Sequence, residues 1–227
     1  MCKNIEDKLF KNTELYIFDM DGLLFNTEDI YMNEGKRIAR EMGYEITQEL
    51  SEMTMGLTNN VARKTYKDYL GQEFPFDEMV DEIHSIICER AEKGEVDLKL
   101  GALELLNFLK ENNKKMVLAT SSNRKLATIL TEGKDIRKYF DHFITAEDVK
   151  HGKPDPEVFL IAAKRGEAKP EKSIVFEDSF NGVRAAHSAK TFPFMIPDKL
   201  QPTEEIRQKY FKKFDNLLEV INYFEGK

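Results

Sequence analysis

The chain has 227 residues, 41% hydrophobic and 33% charged, with two cysteines and a net charge of −7. That length and apolar content suit one large domain, or a domain with a sizeable insertion, and exclude a disordered chain. The acidic balance, with a pI near 5.3, argues against non-specific binding to nucleic acid or docking on an anionic membrane. Cys2 and Cys88 cannot build a disulfide framework, and no CxxC or Cys/His cluster suggests zinc. The opening MCKNIEDKLF mixes charges and lacks the apolar centre of a signal peptide. No apolar run approaches the roughly 20 residues of a membrane span. A cytoplasmic monomer acting on a small molecule, with neither nucleic acid nor membrane as partner, is the expectation.

In chain order, the first clear element is Leu15-Tyr16-Ile17-Phe18, a short apolar run that ends at Asp19 and reads as a buried strand. Three similar runs follow: 116–119 (MVLA) ending at Thr120, 174–176 (IVF) ending at Glu177-Asp178, and 192–196 (FPFMI) ending at Pro197-Asp198. A weaker candidate is 142–145 (HFIT). Between strands lie amphipathic helices, with Ala102, Leu105, Leu106 and Leu109 on one face and Val183, Ala186 and Ala189 on another. Buried strands alternating with helices predict an α/β fold with a Rossmann-like parallel sheet. The stretch from Asp19 to Thr120 is more than three times the roughly 30 residues of a βαβ unit. Its surplus reads as helical, best at 30–42 and at Met79, Val80, Ile83, Ile86 and Ile87. The expected organisation is a discontinuous core, 1–26 and 95–227, with a helical cap inserted at 27–94. An insertion there overhangs the carboxyl end of the first strand, where open α/β sheets bind ligands.

The chemistry-bearing residues gather at those strand ends. Asp19 and Asp21 are two carboxylates spaced i, i+2, and Gly22 lets the backbone turn away. Thr120 offers a hydroxyl, and Ser121, Ser122 and Asn123 open the next helix, whose amides suit an anion. Lys153 is a cation in a proline-restricted loop, and Glu177 with Asp178 adds two acids. Singly, each has a plainer reading as a helix cap, a solvated acid pair or a surface lysine. Together they place up to four negative charges against one positive. Like charges that close need a cation between them, and an oxygen-only donor set favours Mg²⁺ over zinc. Such a site, with a lysine, a hydroxyl and helix N-termini beside it, suits phosphoryl transfer.

The ordered set DMDGLL (19–24), LATSSN (118–123), HGKPDP (151–156) and VFEDSFNG (175–182) resembles the haloacid dehalogenase superfamily. The likeness is to the branch of β-phosphoglucomutase, small sugar phosphatases and pseudouridine-5′-phosphatase, and it spans nearly the whole chain. It implies that Asp19 attacks phosphorus to form an aspartyl phosphate, and that Asp21 serves as general acid and then base. It implies Mg²⁺ held by the Asp19 side chain, the Asp21 carbonyl and Asp178, with Glu177 in support. Thr120 and Lys153 would bind the phosphoryl oxygens, with Ser121, Ser122, Asn123 and Gly22 lining the substrate.

Three functions compete on that resemblance. β-Phosphoglucomutase grips a second phosphate with a cap-loop arginine, where this chain has Asn59 in the loop Met55-Gly56-Leu57-Thr58-Asn59, and has a cap histidine where this chain has Tyr31. A neutral amide is a poor substitute for a guanidinium fork, although Arg63 or Arg124 could compensate. Water thus becomes the expected acceptor, and a phosphomonoester hydrolase acting on a small phosphorylated metabolite the expected enzyme. The third reading, a phospho-receiver switch, lacks a counterpart of Asp21 and of the cap. Elsewhere, Asn26 is expected to cap the first cap helix, and Ala189-Lys190, in place of Ala-Gly, to change how the helix after Asp178 ends. The 79–87 stripe reads as cap core, His84 and His187 as structural, and Glu204-Glu205 and the 209–213 lysines as solvated helix faces. The role of His151 stays open.

Overall fold

The structure, a computed structural model, describes residues 3–54, 57 and 59–227, with side chains from residue 8 onward apart from that of residue 52. After helix α1 (Lys3–Asn12), strands β1 (Leu15–Phe18), β2 (Lys115–Ala119), β3 (His142–Ile144), β4 (Ser173–Glu177), β5 (Phe192–Met195) and β6 (Lys212–Lys213) form one sheet. Its order is β3-β2-β1-β4-β5-β6, parallel throughout. The order in which strands are added reverses at β1, which pairs with β2 on one side and β4 on the other. That switch point is where a doubly wound sheet opens its crevice.

Alternation along the strands divides the core in two. Leu15, Ile17, Val117 and Val175 meet Val158, Phe159 and Ala162 of α8 (Glu157–Arg165) and Ala185 and Ala186 of α9 (Phe180–Ser188). Tyr16, Phe18, Met116, Leu118, Ile174 and Phe176 face the opposite way. There they pack with Leu105, Leu106 and Leu109 of α6 (Ala102–Glu111) and Val220 and Phe224 of α11 (Leu217–Glu225). The helices at 102–109 and after Asp178 follow the expected faces, and the weak 142–145 run is the edge strand β3.

Between β1 and α6 the chain forms only helices: α2 (Glu28–Glu41), α3 (Gln48–Thr54), α4 (Asn59–Leu70) and α5 (Phe76–Glu92). Met79, Ile83 and Ile87 are buried and Val80 and Ile86 half-buried, as the stripe predicts. These helices stand over the strand ends, and α5 packs against the core helix α7 (Arg124–Gly133). Met55, Gly56 and Thr58, in the loop compared with the mutase, lie outside the described residues. Among the described residues no helix is long and apolar enough to cross a membrane.

Three expectations are corrected. Lys212 and Lys213 are not on a helix; they form β6 and pair with Phe194 and Met195, where Phe214 is buried against Phe194 and the exposed Phe211 stacks on it. Two residues are too few for a strand period to show in sequence. Asn26 does not cap α2: the N-cap is Thr27, and the Asn26 amide donates to Asp29 Oδ2 at 2.9 Å. Without the usual glycine, α9 still ends in a left-handed residue, since Lys190 itself adopts φ 63° and donates its N–H to the His187 carbonyl. Glu204 and Glu205 do lie on a short helix, α10 (Glu204–Arg207), with Glu205 paired to Arg184.

Candidate active site

The ends of β1, β2 and β4 meet under the cap. Asp19 follows β1 directly, and its backbone N–H donates to the Phe176 carbonyl of β4, which fixes the carboxylate at the switch point. Lys153 arrives from the loop before α8 and is buried. Its ammonium donates to Asp19 Oδ1, to Glu177 Oε1 at 2.6 Å and to the Ala119 carbonyl at 3.3 Å. Glu177 is fully buried, and its other oxygen accepts from the Ser179 N–H and hydroxyl, each at 3.0 Å. Gly182 makes room for it: a Cβ there would lie 1.8 Å from the Glu177 carboxyl.

Asp21 is held separately. Thr27 donates to its Oδ1 at 2.9 Å, and Ser122 and Thr120 donate to Oδ2 at 2.7 and 3.4 Å. Thr120 Oγ1 in turn accepts the Ser122 N–H at 3.0 Å. Asn123 caps α7 through its side chain, which accepts the Leu126 N–H at 2.8 Å, and Ser121 is exposed on the rim. Gly22 turns with φ +77°, and a Cβ on it would lie 2.3 Å from Asp178 Oδ2. It is therefore a seat for Asp178; it does not line the cleft, as the sequence reading expected of a substrate contact.

Asp19, Glu177 and Asp178 each place a carboxylate oxygen within 4.8 Å of the others. Burial, then the opposing pull of Lys153 and the repulsion of Glu177 and Asp21, raises Asp19 to about 8. Burial and the neighbouring Glu177, Asp19 and Glu28 push Asp178 well above the carboxylate range. Burial also works against the Lys153 ammonium, but Asp19 and Glu177 outweigh it and raise its pKa. Asp178 Oδ1 is buried with no hydrogen-bond partner. One lysine is too little charge for this cluster, and an orphaned carboxylate oxygen in an all-oxygen donor set fits a hard divalent cation.

Above the acids lies a cleft of about 840 Å³, lined from below by Asp19, Asp21, Thr120, Ser122, Lys153 and Asp178 and from above by the cap. Of the predicted site residues, Asp19, Asp21, Thr120, Ser121, Ser122, Asn123, Lys153 and Asp178 line it, with Glu177 buried just behind. His151 is exposed, and its N–H donates to Glu157. His187 faces the Lys209 carbonyl. Sequence reasoning missed Thr27, Ser179, Glu28, His84 and Asp198, all of which meet the strand-end acids or the cleft. Thr27 and Glu28 had a local signal where the chain returns from the Gly22 turn, Ser179 follows Asp178 within the 175–182 motif, and Asp198 ends the 192–196 run; His84 had none.

A buried acid cluster with one lysine, at the switch point of a capped parallel sheet, defines a hydrolase built for phosphoryl groups. The model of haloacid dehalogenase-like hydrolases matches residues 16–196, and the chain belongs to that family. A phosphorylated carbohydrates phosphatase of Thermotoga maritima is 35% identical over 181 residues, covering 78% of this chain and 81% of the relative. A "probable pseudouridine-5′-phosphatase" of Drosophila melanogaster is 31% identical over 201 residues, 85% of each chain. A crystal structure titled "putative beta-phosphoglucomutase", also from Thermotoga maritima, superposes with TM-score 0.74 at 29% identity, covering 94% of this chain and 99% of the other.

Proposed function

We propose that this protein is a Mg²⁺-dependent phosphomonoester hydrolase that works through an aspartyl phosphate on Asp19, with residues 27–94 as its cap and 1–26 and 95–227 as its core. The observation that carries the reading is the buried Lys153 ammonium shared by Asp19 and Glu177, beside an Asp178 oxygen that has no partner. Asp19, Asp178 and the Asp21 carbonyl would hold the cation, with Glu177 behind them. Bound there, Mg²⁺ supplies the positive charge that lets a phosphate dianion approach so acidic a floor.

The chain's own groups then divide the work. Lys153 fixes one Asp19 oxygen and keeps the carboxylate facing the cleft, so the side chain can attack phosphorus as the ester P–O bond breaks. Asp21, held by Thr27 and Ser122, gives a proton to the departing oxygen and later takes one from the water that cleaves the aspartyl phosphate. Lys153 and the Thr120 and Ser122 hydroxyls face the phosphoryl oxygens. The cap excludes bulk water from the intermediate. The relatives' named activities, on phosphorylated carbohydrates and on pseudouridine 5′-phosphate, support a sugar-phosphate or nucleotide-like substrate.

Hydrolysis is favoured over mutase chemistry because the arginines that could hold a second phosphate are committed. Arg63 binds both oxygens of Asp77, and Arg124 pairs with Asp148. The test is repeated phosphate release from para-nitrophenyl phosphate with Mg²⁺, abolished by EDTA and lowered at least about a thousandfold in Asp19→Asn. Release that stops near one equivalent, or survives in Asp19→Asn, would overturn the reading. Conversion of β-glucose 1-phosphate to glucose 6-phosphate faster than phosphate release, with the bisphosphate activator present, would assign the mutase instead.

A further inference from the structure

The two linkers that join cap to core cross as a short antiparallel pair. Phe25 bridges to Leu98, the Asn26 N–H donates to the Asp97 carbonyl at 2.9 Å, and the Lys99 N–H donates to the Leu24 carbonyl at 2.8 Å. Two neighbouring residues of the loop after β5 reach both linkers. Asp198, whose side chain is 6% exposed, accepts from the Lys99 ammonium of the second linker at 2.6 Å. Lys199 donates to Asp29, on the first turn of α2, at 2.6 Å, and the other Asp29 oxygen accepts the Asn26 amide of the first linker at 2.9 Å. The loop is itself tied to the floor, since the Ile196 N–H donates to the Glu177 carbonyl at 2.8 Å. The mechanism uses none of Asp29, Lys99, Asp198 and Lys199.

Between Asn26 and Asp29 lies Thr27, fully buried, whose hydroxyl donates to Asp21 Oδ1. Asp21 is thus held from two sides: Ser122 of the core binds Oδ2, and Thr27, at the start of the cap, binds Oδ1. Where Thr27 sits depends on how the start of α2 is fixed to the core, and the loop after β5 fixes it through both linkers. A misplacement of about 1 Å in a reacting group can cost about a hundredfold in rate. We infer that Asp198 and Lys199 are positioning residues, a clamp that acts through the linkers and Thr27 to align Asp21 for proton transfer. This rests on the hydrolase reading of the cleft and adds to it residues that lie outside the reacting groups.

The leaving group separates alignment of Asp21 from other defects. As Asp19 attacks, the ester P–O bond breaks and its electron pair passes to the departing oxygen. An alkoxide needs the Asp21 proton at that moment, whereas para-nitrophenolate departs without one. The measurement is first-turnover release of the leaving group, with Mg²⁺ and saturating ester. One ester is para-nitrophenyl phosphate; the other is whichever of ribose 5-phosphate, glucose 6-phosphate, glycerol 1-phosphate and pseudouridine 5′-phosphate the wild type cleaves fastest. Asp198→Asn should lower the alkyl-to-aryl ratio about tenfold or more. Lys199→Met and Asp29→Ala should each lower it severalfold, and the double variant no further than either alone, because they break one link. Lys199→Arg, which can still pair with Asp29, should keep the wild-type ratio. So should Lys134→Met, which removes a different grip on the second linker, at the Gly94 carbonyl. The ratio is taken within one preparation, so a partly misfolded variant does not distort it. Unchanged ratios in Asp198→Asn and Lys199→Met, or an equal fall in Lys134→Met, overturn the clamp and leave the hydrolase standing. A fall in Lys199→Met without one in Asp29→Ala also overturns it, since Lys199 would then act on the ester from the cleft it lines. A wild type that cleaves only the aryl ester has no such proton transfer to align, and overturns it too. Absence of phosphate release from every ester is instead a failure of the hydrolase reading.

Discussion

The floor of the cleft and its cap wall are built on opposite plans. On the floor, Lys153, Asp19 and Glu177 are buried and bonded to one another, Asp21 is held by Thr27 and Ser122, and Gly22 and Gly182 leave space for carboxylates where any side chain would collide. The wall is mostly apolar, and its polar side chains Glu28, Tyr31 and His84 make no hydrogen bond to the described residues, Tyr31 and His84 meeting only ring to ring. On the proposed mechanism the floor handles the phosphoryl group that every substrate shares, so its geometry is fixed in advance. On the same proposal the wall meets the leaving group. A floor substitution should therefore depress all substrates alike, and a wall substitution should reorder them.

The hardest test of that division is Lys153→Met. Without the ammonium, Asp19 and Glu177 become buried acids with no counter-charge. Breaking such an ion pair costs about 3–5 kcal/mol, which chemical denaturation of the metal-free protein at neutral pH would register. Turnover should fall at least about a thousandfold on every ester in a panel, with the substrate ranking intact. A loss confined to one ester would place Lys153 among the specificity groups and erase the contrast between floor and wall.

Gly22→Ala is a smaller disturbance. The added methyl would lie 2.3 Å from Asp178 Oδ2 at a backbone φ of +77°, so both the carboxylate and the turn must shift. Because Gly22 seats the proposed cation ligand Asp178, Mg²⁺ affinity measured by calorimetry should weaken about 10–100-fold, again with the substrate ranking intact. Unchanged affinity would mean that Asp178 is not the ligand proposed for it.

The same contrast explains what the sequence makes legible. The floor residues sit directly at the ends of apolar strands or in short motifs beside them, so four local patterns suffice to find Asp19, Asp21, Thr120, Lys153, Glu177 and Asp178. That the sheet is parallel follows from strands alternating with helices; its strand order does not. The wall has no such grammar. His84 lies in an apolar helical stripe that reads as packing, and only the crossing of α5 over α2 brings it to Tyr31. Thr27 is one residue beyond the expected cap, and its hydroxyl turns back to Asp21 across the Gly22 turn. Strand β6 forms where Phe214 is buried against Phe194, a tertiary event with no local period.

The gentlest probe of the floor is pH. Folded Asp19 is raised to about 8 and Asp178 is raised as well, whereas an unfolded carboxyl titrates near ~4. Between those limits the folded chain holds protons that the unfolded chain has released, so metal-free stability should fall as pH rises from about 4 to 8. Mg²⁺ reverses the penalty by pairing with the ionised acids, and it must displace those protons to bind. Its stabilisation should therefore be small at pH 5 and grow toward pH 8. A hundredfold excess over Kd contributes about 2.7 kcal/mol, or roughly 5–10 °C in Tm for a chain of this size. EDTA should remove the whole increment. An increment equal at pH 5 and pH 8 would mean that the bound cation meets no protonated acids, and the crowded floor would not be where it binds.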